Sequence, residues 1–245
     1  LHTSLAERFA SNGYAVFALD HTYDANISVF PNGFVADYRS EITGNPDSVN
    51  IRQRQINTRV SDIRFIINQL GKIQSGSIKH PLNGYLDLDR IGVTGHSFGG
   101  STAVLTGDRD NRVKAVSVID GWMNPLPNEL IQGGIDLPYL YMGRASWIDS
   151  DYPSSPSLSE NLHKNNTGPS YHILIKNTRH LNFCDAPLFT PIGKYLVEIG
   201  DIDRKRSVDL VNQLSLEFFD KYLRQKPSEL LSKSIVVPEF IFSNK

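Results

Sequence analysis

The five residues Gly95-His96-Ser97-Phe98-Gly99 constrain this chain more than any others, because of what flanks them. Before them runs Ile91-Gly-Val-Thr94, which reads as a strand, and after them Ser101 to Gly107 can continue as a helix. A serine between two glycines at a strand-to-helix turn is the pattern of a nucleophile elbow. Such a turn is so tight that a side chain at either glycine would press on backbone, so Gly95 and Gly99 are both expected to be sterically required. The elbow lifts the Ser97 hydroxyl clear of the sheet and sets a helix N-terminus beside it. Unpaired N–H groups and the positive dipole end there suit a developing oxyanion, which makes the Phe98 N–H a candidate donor. His96 adjoins the serine in sequence but is expected to point elsewhere and to serve structure.

The rest of the chain supplies a setting for that turn. Leu1, Leu5 and Phe9 repeat at helical spacing up to the Ser11-Asn12-Gly13 stop. Tyr14 to Leu19 is an apolar run closed by Asp20-His21, of the kind that forms a strand buried on both faces. Residues 21 to 50, rich in Asp, Asn, Gly, Pro and Ser, read as a long excursion. Ile56, Val60, Ile63, Ile66, Ile67 and Leu70 predict a helix over Arg52 to Leu70, and Ile91 to Val93 predict the strand before the elbow. Strands follow at Val113 to Ile119, Leu137 to Met142 and finally Tyr171 to Ile175, with a long amphipathic helix over Arg206 to Leu223. This order implies a mostly parallel sheet covered on both faces. No compositional break divides the 245 residues, so a single domain over 1–245 is expected.

Composition removes several functions. The net charge is −1 with Lys and Arg spread among Asp and Glu, so there is no electrostatic footprint for nucleic acid. The longest apolar runs fall far short of the ~20 residues that span a bilayer, which excludes an integral segment but leaves peripheral contact with lipid open. The single cysteine, Cys184, rules out an internal disulfide and is compatible with a secreted or a cytoplasmic setting. Leu1 to Asn12 lack the layout of a signal peptide, and the natural N-terminus is expected to lie elsewhere.

A serine hydroxyl needs a base to become a nucleophile near neutral pH, and histidine titrates in the useful range. Of the seven histidines, chain order excludes His2, His21, His80 and His96. His163 lies in a polar stretch read as a loop, His172 falls inside a predicted strand, and His180 follows that strand on a loop. His180 is therefore the expected base. The acid should end a strand between nucleophile and base, which offers Asp120 directly after Ile119, or Asp149 or Asp151 beyond Met142. Strand-end placement favours Asp120 without deciding it. Trp122, Met123, Leu181 and Phe183, with Phe98, lie beside these positions and are candidates to line an apolar acyl pocket.

Four stretches carry a resemblance: Leu88-Asp-Arg-Ile-Gly-Val-Thr-Gly-His-Ser-Phe-Gly-Gly100, Ile119-Asp-Gly-Trp-Met-Asn-Pro-Leu126, Arg179-His-Leu-Asn-Phe183 and Gly200-Asp-Ile-Asp203. In this order they resemble the platelet-activating factor acetylhydrolases of the plasma and type II branch, with Asp20-His-Thr-Tyr-Asp24 closer to the bacterial members. The resemblance implies an α/β-hydrolase fold lacking its N-terminal strands, and a triad of Ser97, Asp120 and His180, settling the acid. It implies hydrolysis of short or oxidised acyl chains from phospholipid-like esters, with no metal or organic cofactor. It also implies that the second oxyanion N–H lies on a loop before Leu1. A general carboxylesterase or polyester hydrolase of the same fold is the nearest rival, and a binding protein without turnover a more distant one.

Overall fold

The computed structural model describes residues 1–42, 44–147, 152–232 and 235–245. In chain order its elements are α1 (Thr3–Ser11), β1 (Ile27–Val29), β2 (Val35–Asp37), α2 (Ser48–Gln74), β3 (Ile91–His96), α3 (Phe98–Arg109) and β4 (Val113–Ile119). There follow α4 (Asn128–Gly133), β5 (Tyr139–Arg144), α5 (Ser155–Asn165), β6 (Ser170–Ile175), α6 (Ala186–Phe189), α7 (Arg204–Arg224) and β7 (Phe240–Phe242), with 3-10 turns at His180–Phe183 and Gly193–Tyr195. Packing gathers these residues into two units, Leu1–Tyr14 with Asp87–Lys245, and Ala15–Leu86.

The larger unit is built on a five-stranded sheet in the order β3-β4-β5-β6-β7. The first four strands run parallel, and β7 lies antiparallel against β6. A parallel strand must be hidden on both faces, which is why β4 is buried at every position but Lys114 instead of alternating. Its faces go to different helices. Val116 and Val118 meet α3 where Gly107 and Gly100 bring helix backbone close to them. Ala115 and Ile119 join Leu140, Met142, Ile173 and Ile175 in a cluster with Leu214, Phe218 and Phe219 of α7 and Leu5 and Phe9 of α1. Each fully buried side chain of that kind contributes roughly 1.5–3 kcal/mol.

Register then brings the strand ends together. His96 pairs with Ile119, and Ile119 with Met142. Arg144 pairs with Ile175. The residues that follow β3, β4 and β6 therefore leave the sheet at one carboxyl edge, where open parallel sheets place their sites.

Three expectations are corrected. Tyr14 to Leu19 joins no strand ladder among the described residues, and Val16 and Phe17 are exposed. An apolar run becomes a buried strand only where neighbours take up its N–H and C=O groups. Tyr171–Ile175 is not the last strand, because Phe240–Phe242 adds β7, too short to show a period. The stretch around His163 is the helix α5, whose buried side is Ser155, Ser159, Leu162 and His163. That side is mostly polar, so it carries no apolar stripe to read.

The smaller unit holds the 27-residue helix α2, buried along Ile56, Val60, Ile67 and Leu70. The excursion before it contains the β1–β2 hairpin, turned through Gly33 at φ 82°. Asp24 there accepts from Ser40 and Arg52 and lies 3.2 Å from Arg59. No helix among the described residues is long and apolar enough to cross a membrane.

Candidate active site

Ser97 joins β3 to α3 with φ 56° and ψ −121°, a region that side-chain-bearing residues avoid. Three backbone hydrogen bonds hold it there. Its N–H donates to Ile119 O at 3.0 Å, and its carbonyl accepts from Gly100 N at 2.9 Å and Trp122 N at 3.1 Å. Gly95 lets the turn close, since a Cβ at that position would stand 2.2 Å from the Gly99 carbonyl oxygen. Gly99 is not under the same constraint: a Cβ on it would meet nothing within 4 Å. The glycine requirement is one-sided because Gly99 offers its backbone to Gly95, while its own Cβ direction is open.

Asp120 directly follows β4 and is fully buried, with φ 42° and its N–H bonded to Met142 O at 2.7 Å. Its Oδ2 lies 2.6 Å from His180 Nδ1, and its Oδ1 accepts from the Arg144 backbone N–H at 2.9 Å. The Arg144 Nε stands 3.2 Å from Oδ2, an ion contact off the hydrogen-bond line. These partners compensate for taking a carboxylate out of water. The alternative acids Asp149 and Asp151 lie outside the described residues.

His180 opens the 3-10 turn after β6, and its loop is pinned from below by Asn182. The buried Asn182 Oδ1 accepts from Arg179 N at 2.8 Å and Gly200 N at 2.6 Å. His96, expected to point away, instead lies against this histidine. Its Nε2 is 3.2 Å from the His180 carbonyl oxygen, and the two rings stack with centroids 4.4 Å apart. Burial, reinforced by the charges His180 and His2 can carry, pushes His96 well below the usual imidazole range. It is thus neutral, and since a carbonyl only accepts, Nε2 carries the proton. The His180 ring consequently rests on the residue next to Ser97.

The apolar candidates divide. Trp122 lies against Tyr152, tilted at 43° with centroids 4.3 Å apart, and lies 6.1 Å from the Phe98 ring. Its segment is tied on both sides, by Ser101 Oγ donating to Trp122 O at 2.6 Å and by Met123 N donating to Ser155 Oγ at 3.1 Å. Leu181 is partly buried. Met123 and Phe183 have no exposed surface, and Phe183 belongs to the core against α7, so neither has a face to offer a ligand. Arg144, Asn182, Ser101 and Ser155 were not anticipated. An arginine closing an otherwise apolar strand, and an asparagine two residues after the candidate base, were the available signals.

Donor atoms of His96, Asp120 and His180 lie within 4.8 Å of one another, a spacing a metal ion could use. The Asp120 oxygens are already engaged by His180 and Arg144, and the adjacent guanidinium opposes a second cation.

The chain is similar to several known proteins. Over 92% of its length it is 24% identical to a platelet-activating factor acetylhydrolase of Gallus gallus, covering 59% of that protein. Over 99% it is 27% identical to a probable 1-alkyl-2-acetylglycerophosphocholine esterase of Arthroderma benhamiae, covering 62%. It thus spans little more than half the length of these relatives. A solved ferulic acid esterase of Streptomyces cinnamoneus matches 99% of the chain and 69% of its own, with a TM-score of 0.78 and 28% identity, in keeping with an α/β-hydrolase fold. The family model for platelet-activating factor acetylhydrolase, isoform II, matches residues 1–229. A match over that much of the chain shows that it belongs to the platelet-activating factor acetylhydrolase isoform II family.

Proposed function

We propose that the protein hydrolyses carboxylic esters through an acyl-enzyme on Ser97. The observation that carries this reading is the 2.6 Å contact between His180 Nδ1 and the buried Asp120 carboxylate, beside a serine held at φ 56°. With Nδ1 committed to Asp120, Nε2 is the nitrogen that takes the Ser97 proton as the hydroxyl attacks. Asp120 fixes the tautomer and stabilises the imidazolium that forms. The Phe98 N–H, first in α3, binds the oxyanion. His180 then protonates the leaving alcohol, and water repeats the sequence on the acyl-enzyme. None of these steps calls on a metal or organic cofactor.

The substrates we assign are phospholipid-like esters with short or oxidised acyl chains, met by peripheral contact with lipid. Family membership and the relatives named as acetylhydrolases and as a glycerophosphocholine esterase support this. A second reading, esters of aromatic acids, draws on the Phe98, Trp122 and Tyr152 rings and on the likeness to a ferulic acid esterase. The test is kcat/KM for a 2-acetyl phospholipid and for methyl ferulate, in wild type and Ser97→Ala. The acetyl phospholipid should be preferred, with both activities lost in the variant. A preference for the ferulate would replace the substrate class, and turnover surviving in Ser97→Ala would end the mechanism.

A further inference from the structure

We propose that Arg144 is a positioning residue whose guanidinium gives the Asp120 carboxylate a fixed counter-charge and holds it turned toward His180. This rests on the reading of Ser97, Asp120 and His180 as the reacting groups.

Taking a carboxylate wholly out of water is costly unless partners compensate its charge, and Asp120 has no exposed surface. The hydrogen bonds from His180 Nδ1 and the Arg144 backbone N–H satisfy one position on each oxygen, but a neutral imidazole and an amide bring only dipoles. The Arg144 side chain brings a full charge 3.2 Å from Oδ2 and is itself only 10% exposed. Arginine carries that charge throughout the working pH range.

The guanidinium is also fixed in place. Its Cζ lies 3.8 Å from the centroid of the buried Trp147 ring, a cation–π contact that is stronger out of water. The strand holds the other end, through the pairing of Arg144 with Ile175. An arginine clamped between a strand end and an indole cannot swing into solvent, and its charge stays on Asp120. Without it the carboxylate loses its fixed counter-charge and its orientation. His180 is then held less well for each proton transfer, while the groups that bind substrate are untouched.

The test compares Arg144→Gln and Arg144→Lys in wild-type and Asp120→Asn backgrounds. kcat and KM are measured on p-nitrophenyl butyrate, and the low-field NMR signal of the His180 Nδ1 proton is recorded. Arg144→Gln should lower kcat about 10–100-fold with KM little changed, Arg144→Lys should recover most of it, and the low-field proton should move or vanish. In Asp120→Asn, Arg144→Gln should cost nothing further, because its effect runs through that carboxylate. Wild-type kcat and an unmoved proton in Arg144→Gln would overturn the proposal, as would an equal loss in both backgrounds, the mark of a packing role. Should Arg144→Gln not fold, Trp147→Leu, which loosens the guanidinium without removing it, must lower kcat and move the proton, and no change in either would overturn the proposal. A wild-type protein that hydrolyses no ester would defeat the Ser97 reading alone, with the NMR comparison still deciding the role of Arg144.

Discussion

Replacing Gly95 by alanine sets one methyl group against the tightest point of the elbow. The new Cβ would stand 2.2 Å from the Gly99 carbonyl oxygen, 2.3 Å from its carbon and 2.9 Å from its Cα. All three are backbone atoms, so no rotamer relieves the contact, and the β3–α3 turn must open by about 1 Å to restore ordinary van der Waals separation. Overpacking costs about 1–3 kcal/mol where neighbours can shift. Here the turn is tied to Ile119, Gly100 and Trp122 through Ser97, so we expect the upper end, about 3 kcal/mol. Displacing the nucleophile by about 1 Å should also cut turnover about 100-fold. Gly99→Ala is the matched control. Its methyl meets nothing within 4 Å and it sits in a helix, where alanine is favoured over glycine by up to ~1 kcal/mol. Urea midpoints followed by tryptophan fluorescence, with initial rates on p-nitrophenyl butyrate, compare the variants. The steric account is refuted if Gly95→Ala stays within about 0.5 kcal/mol of wild type with turnover intact, or if Gly99→Ala is as destabilising as Gly95→Ala.

Three further outcomes are expected. Asp120→Asn should lower kcat by about 10⁴ by leaving His180 in the wrong tautomer, and a loss below tenfold would contradict the assignment. Burial pushes His172 down to about 4, so between about pH 6.5 and 4 the unfolded chain binds a proton that the folded one refuses. Stability therefore falls as pH drops through that window, by about 3 kcal/mol from this group. The gap in thermal stability between wild type and His172→Gln should narrow toward pH 4, and a constant gap would count against it. Burial alone would raise the Asp24 pKa, but hydrogen bonds from Ser40 and Arg52 and the charges of Arg52 and Arg59 outweigh it and hold the pKa below the usual range. Asp24→Asn should then cost about 3–5 kcal/mol in chemical denaturation, by taking a counter-charge from buried Arg52 and partly buried Arg59, and a cost under 1 kcal/mol would show that other partners or solvent replace it.

The elbow was legible because its geometry is local: a strand, Gly95 and a helix start within a dozen residues fix its conformation. Asp120 was legible as the end of an apolar strand, although sequence alone left Asp149 and Asp151 in contention. What escaped is what depends on partners distant in the chain. Tyr14 to Leu19 has the composition of a strand, but composition does not supply neighbours. α5 buries Ser155 and Ser159, whose value lies in hydrogen bonds to the segment after Asp120 and to His172, and no hydrophobic period reports that. Phe183 lies close to His180 in sequence yet has no exposed surface and belongs to the core against α7, which nearness in sequence does not report. Arg144 falls beyond the strand read at Leu137 to Met142, and only the register of β4 and β5 sets it beside Asp120.

The central claim is that Ser97 is an activated nucleophile, and the most direct measurement is peptide mapping by mass spectrometry after treatment with a fluorophosphonate. The account predicts a single phosphonyl adduct on Ser97, absent from Ser97→Ala and strongly slowed in His180→Ala. A protein left unlabelled, or an adduct on another residue with Ser97 unmodified, would contradict it.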